Sequence, residues 1–178
     1  MGRLSLVELS TKYSSGLKKM ILDYEKYGER EYFVMYKEAL DDFDKYVEKL
    51  QRREKGIGLP KEWGAYTALW LADEDNRILG GIRVRKELGS DFLRKIGGHI
   101  GYDISPSYRG KGYGKLILKL GLEKAAQMNI SHVLITCQSD NFASMKIIET
   151  NGGIFESEII DKASNRSIRR YWFNLDSR

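Results

Sequence analysis

The chain has 178 residues, one cysteine, a net charge of +5 at neutral pH, and a hydrophobic fraction of 42% that includes eleven Tyr and three Trp. That is the size of one domain with a real core, too apolar to be disordered throughout, and without the ~18 to 20 residue apolar run that spans a bilayer. Cys137 alone excludes an intramolecular disulfide framework, and basic residues interleaved with nearly as many acids leave no basic stripe, so nucleic acid is disfavoured as a partner.

Residues Met1 to Leu6 carry no hydrophobic signal region, which with the lone cysteine leads us to expect a cytoplasmic protein without a membrane partner. Leu4 to Leu9 alternate as a short strand. Ser14 and Ser15 stand ready to cap a helix whose Leu17, Met20, Ile21 and Tyr24 form one apolar face. A second helix is predicted from Asp42 to Arg53, with Phe43, Tyr46, Val47 and Leu50 on one side and Gly56, Gly58 and Pro60 ending it. From Trp63 the period changes. Ala65 to Ala72 and Ile78 to Lys86 read as strands around the polar turn Asp73 to Asn76. A helical link over Leu88 to Lys95 leads to a strand from Gly98 to Ile104, stopped by Ser105-Pro106. Residues 112–128 form a long apolar-rich helix, Val133 to Cys137 a strand buried on both faces, and Phe142 to Glu149 a helix closed by Asn151-Gly152-Gly153. Ile154 to Ile160 and Ile168 to Leu175 make a last hairpin. The pattern is β-β-β-α-β-α-β-β after a helical front, an α+β (mixed α/β) domain with a central mixed sheet of about six to seven strands and about four helices.

The most informative stretch is Ser105 to Gly114, where a strand ends, a helix begins and three glycines fall at alternate positions. Unpaired N–H groups and the partial positive charge of a helix start attract anions, and glycines let the backbone come close to a phosphate. Arg109, Lys111 and Lys115 add positive charge, which suits a pyrophosphate. A Walker A loop fails, because Ser105 and Gly112 stand where it needs Gly and Ser or Thr. The dinucleotide fingerprint fails too, its third glycine arriving one residue early at Gly114.

What does match is R-x-x-G-x-G, as Arg109, Gly112 and Gly114 after a strand and a proline. This resembles the acyl-CoA motif of the GNAT N-acetyltransferase superfamily. A second stretch, Asp140 to Gly153, resembles that family's other cofactor segment, N-x-x-S before a short helix, here Asn141 and Ser144. The ~30 residues between the motifs suit one helix and one strand of a crossover unit. The resemblance covers about residues 63 to 175 and 1 to 60 more loosely, so one domain is expected, with 1–60 as the acceptor side and 61–178 as the acyl-CoA-binding core.

The resemblance implies an acyl-CoA-dependent N-acyltransferase with acetyl-CoA as cosubstrate, no metal, and direct attack by an amine in a ternary complex. In such folds the strand before the loop (here 98–104) splays from the next parallel strand (133–137), and the pantetheine lies in the gap. The cofactor-binding residues expected on this basis are Ile104, Arg109, Gly110, Lys111, Gly112, Tyr113, Gly114, Lys115, Asn141 and Ser144. Asn141 is equally suited to be an N-cap. Many relatives place a Tyr seven residues after the motif Asn, where this chain has Ile148, so the departing thiolate needs another donor or none.

His99 and Tyr102 are the catalytic candidates, His99 close to where relatives place a base and Tyr102 as a donor or pocket wall. Strand parity sets them on opposite faces unless a β-bulge of the kind relatives carry intervenes. Cys137 reads as a core residue and His132 as a surface one. Tyr13, Tyr24, Tyr27, Tyr32, Phe33, Tyr36 and Trp63 make the front of the chain aromatic, as core or as an acceptor slot, while Glu29, Glu31, Asp41 and Asp42 are acids that could hold an amine. The expected partner is a small-molecule or peptide amine; a homodimer, a longer acyl group and a non-catalytic acyl-CoA-binding or regulatory module stay open.

Overall fold

The computed structural model describes residues 3–60 and 62–176. Strand β1 (Ser5–Val7) leads through a 3-10 turn (Thr11–Tyr13) to α1 (Ser14–Lys26). Leu17, Met20, Ile21 and Tyr24 of α1 are buried, as their spacing requires. Neither Ser14 nor Ser15 caps the helix: the preceding turn runs straight into it, and its N-cap Tyr13 makes no side-chain bond. Two short helices unforeseen in the sequence follow, α2 (Arg30–Tyr36) and α3 (Glu38–Asp41). Then comes α4 (Phe43–Glu54), capped by Asp42, whose Oδ1 accepts from the Lys45 N–H at 3.0 Å.

The hairpin of β2 (Thr67–Ala72) and β3 (Ile78–Val84) and the strand β4 (Ile100–Ile104) complete an antiparallel sheet in the order β1-β2-β3-β4. The link before β4 is helical, but as a π-type turn over Leu93–Gly97. After β4 come α5 (Tyr113–Gln127), β5 (His132–Gln138) and α6 (Phe142–Thr150). The hairpin β6 (Ile154–Asp161) and β7 (Arg166–Asn174) then joins β5 in a second antiparallel sheet ordered β5-β7-β6.

The α+β class and seven strands match expectation, but the single mixed sheet divides in two. At the junction the His99 N–H donates to the Leu134 C=O at 2.8 Å; no ladder joins β4 to β5 among the described residues. Gly98 lies against this point, where an added Cβ would come within 2.8 Å of the Leu134 carbonyl oxygen. Past the junction the two strands leave an open edge on each.

Two cores flank the first sheet. On one face α5 packs through Ile117, Leu118 and Leu122 with Ile82, Ile100 and Ile104. On the other, α1, α2 and α4 bury Leu17, Ile21, Tyr24, Tyr36 and Tyr46 with Trp70 and Ile78. Side-chain alternation along β3 and β4 thus sends successive residues to different cores, and both sites below depend on it.

Candidate functional site

Where β4 ends, a 3-10 turn (Pro106–Tyr108) and four loop residues deliver the chain to α5. Gly110 and Gly112 have φ of +73° and +84°, the left-handed region that glycine tolerates best, and Gly112 is the α5 N-cap. Gly114 is small for a different reason: a Cβ there would meet Ile147 Cδ1 of α6 at 2.5 Å. The first backbone bond into the helix is Leu116 N–H to Gly112 C=O. Among the described residues, the N–H groups of residues 110–115 donate to no protein acceptor. Six free donors at the positive end of a 15-residue helix make an anion cradle.

Two carboxylates hold this loop to the helical front. Asp23 of α1 accepts from the Ser107 N–H at 2.9 Å and from the Ser105 and Ser107 hydroxyls. Burial acts to raise its pKa, but those serine bonds win and keep it below the usual carboxylate range. Glu29 pairs bidentately with Arg109, whose Nε also donates to the Ile104 C=O at 2.8 Å. Arg109 therefore spends its donors on fixing the loop to strand end and helical front.

A cleft of 400 Å³ opens beside the cradle, between β4, the loop and the start of α6. Tyr102, Ile104, Arg109, Gly110, Gly114, Asn141 and Ser144 line it; Lys111, Gly112, Tyr113 and Lys115 belong to the adjoining loop and first turn. Antiparallel alternation directs residues 101, 103 and 105 to β3, with the Ser105 N–H donating to Leu79 C=O at 2.9 Å, so the N–H groups of Tyr102 and Ile104 face the open edge. The Asn141 Oδ1 accepts from the Ser144 N–H at 3.0 Å, a capping bond that leaves its amide N–H₂ free of that duty.

Comparison with known proteins shows the family to which this fold belongs. The model of the Acetyltransferase (GNAT) family matches residues 23–152. The chain belongs to the GNAT acetyltransferase family.

Solved structures similar to this GNAT chain include the ribosomal-protein alpha-N-acetyltransferase RimL in complex with coenzyme A, at 16% identity and a TM-score of 0.69, covering 98% of this chain and 96% of that one. The microcin self-immunity acetyltransferase MccE, with acetyl-CoA and AMP, is similar at 14% identity and TM-score 0.68, with 97% and 92% covered. RimJ from Mycobacterium smegmatis reaches TM-score 0.72 at 14% identity, with 99% and 84% covered. No curated protein sequence matches the chain at a significant level.

In this acetyltransferase the two candidate proton carriers part company. Tyr102 lines the cleft, and its hydroxyl lies 3.1 Å from the Ser144 Oγ. Burial pushes the phenol up to about 12, so it stays protonated and able to donate. His99 lies outside the cleft lining, 7% exposed, with its Nδ1 accepting from the Leu134 N–H at 2.9 Å. Burial lowers its pKa to about 4, only partly opposed by that bond. A buried ring with one nitrogen already engaged is suited to joining the two sheets rather than to taking protons from substrate. The register of β3 with β4 runs without a shift from Ile100 to Ile104, so no bulge within that strand brings the two side chains to one face.

Ile148 is buried in the α5 core and carries no proton. The Cys137 thiol is raised to about 11 by burial, with Ser144 acting in the opposite sense, and so is protonated at neutral pH. His132 is exposed, beside Ser131.

Sequence reasoning missed Asp103. It accepts from the Tyr24 and Tyr36 hydroxyls, each at 2.6 Å, and pairs with Arg83 at 3.2 Å. The available signal was a carboxylate inside an otherwise apolar strand, opposite a strand that carries Arg83. Of the other acids weighed, Glu29 holds Arg109, Asp42 caps α4, and Glu31 lines a second cavity described below. Tyr13, Tyr24 and Tyr36 are core residues, whereas Trp63 is 46% exposed and lines that cavity. Among the described residues there is no His, Cys, Asp or Glu cluster suited to a metal, and no helix long and apolar enough to cross a membrane.

Proposed function

We propose that this GNAT chain binds acetyl-CoA in the cleft between β4, the 105–112 loop and α6, and catalyses transfer of the acetyl group to an amine. The observation that carries the reading is the row of free N–H groups at residues 110–115, at a helix start beside an open strand edge, a setting that suits a diphosphate. RimL, MccE and RimJ are described with coenzyme A, acetyl-CoA or a coenzyme A disulfide, which supports the same donor here.

The residues divide the work by position. The α5 N-terminus with Gly110, Lys111 and Gly112 holds the diphosphate. The open edge of β4 and the free amide of Asn141 offer backbone-like partners to the pantetheine arm, as an added strand would find them. The Tyr102 or Ile104 N–H is placed to meet negative charge developing on the thioester oxygen, an interaction worth ~3 kcal/mol where such donors have been removed. Tyr102, with Ser144 as its neighbour, donates toward the departing sulfur. The neutral amine attacks the carbonyl carbon directly, the C–N bond forming as the C–S bond breaks and the N–H proton passing to solvent, so no acyl-enzyme is needed; the protonated, buried Cys137 is unsuited to forming one.

Calorimetric titration with acetyl-CoA, followed by isotope transfer from labelled acetyl-CoA to a panel of amines, tests the reading. Micromolar binding and labelled amine are expected. Failure to bind would remove the proposal, and binding without transfer to any amine would make the chain a non-catalytic acyl-CoA module.

A further inference from the structure

A second cavity, of 510 Å³, lies on the face of the first sheet that packs against the helical front, walled by α2, α4, Leu59, Pro60, Trp63, Tyr66 and the β2–β3 hairpin. We propose that it is the acceptor pocket and that it selects an amine whose far end carries an oxyanion, either carboxylate or phosphate. This rests on the acetyl-transfer reading above and adds the chemical class of the acceptor.

The two cavities are neighbours. Asp103 lines the acetyl-CoA cleft, and its partners Arg83 and Tyr36 line the second cavity. Likewise Tyr32 lines the cleft while Glu31, one residue earlier on α2, lines the second cavity. A volume of this size is that of a small-molecule site.

The charges in its walls do not cancel. Glu38 pairs with Lys49, and Arg83 with Asp103. Arg53 and Arg85 remain, and among the described residues neither forms an ion pair. Both converge on Tyr66: Arg53 Nη1 donates to its hydroxyl at 2.9 Å, and the Arg85 guanidinium lies 5.6 Å from its ring centre. Arg85 also donates from Nε to the Trp63 C=O at 3.1 Å, and it is only 5% exposed. Two further donors in these walls have no acceptor among the described residues, the buried Arg53 Nε and the indole N–H of Trp70, which is 3% exposed.

A guanidinium taken out of water without a counter-charge is costly, and its planar fork of donors matches a carboxylate or phosphate edge. Burial, with nearby Arg83, lowers the Arg85 pKa to about 10, so the group stays charged and electrostatically unanswered at neutral pH. Trp63, Tyr66 and Tyr46 add flat apolar surface to the same cavity. Glu31, the one lining acid with no ion pair among the described residues, immediately precedes Tyr32 of the acetyl-CoA cleft along α2. An acceptor with its ammonium toward Glu31 and its oxyanion toward Arg53 and Arg85 satisfies both ends. A polyamine instead brings a second cation to the two arginines.

The test uses amines of one skeleton titrated into the coenzyme A-loaded protein: phenethylamine, 4-(2-aminoethyl)benzoate and tyramine phosphate, with spermidine as the polycation. One of the two anionic members is expected to bind at least about tenfold more tightly than phenethylamine, and the tighter of the two tells carboxylate from phosphate. Spermidine is expected to be weakest. Arg85→Met should abolish the preference while leaving acetyl-CoA affinity as it was; Arg85→Lys should keep part of it. Arg53→Met provides the same test if Arg85→Met does not fold. Equal binding of all members, binding of none, or tightest binding of spermidine overturns the inference. Running acetyl transfer on the same panel separates the two claims. Anion-selective binding without transfer would remove the enzymatic reading and leave the pocket's selectivity standing, and unselective transfer would do the reverse.

Discussion

The hydroxyl of Tyr102, on the open edge strand β4, lies 3.1 Å from the Ser144 Oγ at the start of α6. The pair bridges the gap where the sheet divides, beside the place where a thioester would lie. With its pKa raised to about 12 by burial, the phenol holds its proton more tightly than a thiol of pKa ~8.5 does, so complete transfer to sulfur is uphill. On the mechanism proposed above, its service is a hydrogen bond to the leaving thiolate, which is then protonated from solvent.

Replacing Tyr102 by Phe should accordingly lower kcat about 10- to 100-fold, at the low end of acid–base effects, while the acetyl-CoA Kd changes by less than about threefold. Ser144→Ala should cost less, because the phenol proton survives it. Steady-state kinetics with calorimetric Kd values decide this, and a Tyr102→Phe enzyme with parental kcat would remove the residue from the chemistry.

Gly112 separates conformational from electrostatic need. Its φ is +84°, and an added Cβ would meet nothing within 4 Å. Gly112→Ala therefore pays only backbone strain, of order 1 kcal/mol, and should weaken acetyl-CoA binding about tenfold or less. Gly112→Asp adds a carboxylate among the donors intended for phosphate and should weaken it by more than about 100-fold. Equal losses for the two variants would mean that the cradle does not face the diphosphate.

His99 shows what strand position alone conceals. A histidine one residue before a strand, near a phosphate loop, has the sequence profile of a base, yet its Nδ1 closes the seam between the two sheets at Leu134. With a folded-state pKa near 4 against ~6.5 unfolded, it is neutral in both states above pH 7. As pH falls from about 6.5 toward 4 the unfolded chain takes the proton first, so stability declines across that window. Urea titrations at pH 7.5 and 5.0 should show a lower midpoint at pH 5.0, and the difference should shrink in His99→Gln. The pH–rate profile of the parent should lack an inflection from this residue near pH 6.5.

The glycine-rich turn into α5, the helices α5 and α6 and both hairpins were legible because their signals are local: glycines at fixed spacing, a 3.6-residue apolar stripe, an Asn cap. The short helices α2 and α3 were not. They have no side-chain cap and bury only Tyr36 and Ala39, so their periodicity is faint and tertiary packing decides them. The divided sheet was also hidden, since alternation within β4 and β5 reports burial, not which strand lies beside which. The loop anchors Asp23 and Glu29 stand about 80 residues before their partners, and nothing local in a polar helix marks an acid as one that will reach so far.

Asp103 is the clearest case of a long-range role, and its removal tests the physics of the wall between the two cavities. Its side chain is 1% exposed and holds Arg83 together with the Tyr24 and Tyr36 hydroxyls. Asp103→Asn keeps the shape but leaves the half-buried Arg83 without its counter-charge, a loss of about 3 to 5 kcal/mol in comparable broken pairs. Tyr36→Phe removes one hydroxyl donor while Asp103 keeps Tyr24 and Arg83, and should cost only about 1 kcal/mol, rising to about 3 if the Arg83 N–H is left unanswered. The informative variant is the double one. If the cost of Asp103→Asn comes from the stranded guanidinium, adding Arg83→Met should restore part of the lost stability, because a methionine needs no counter-ion. Chemical denaturation of the parent, both single variants and the double variant measures this as a coupling free energy. A double variant at least as unstable as the sum of its parts would show that Asp103 matters through its tyrosine bonds, and that the arginine is merely a bystander in the wall.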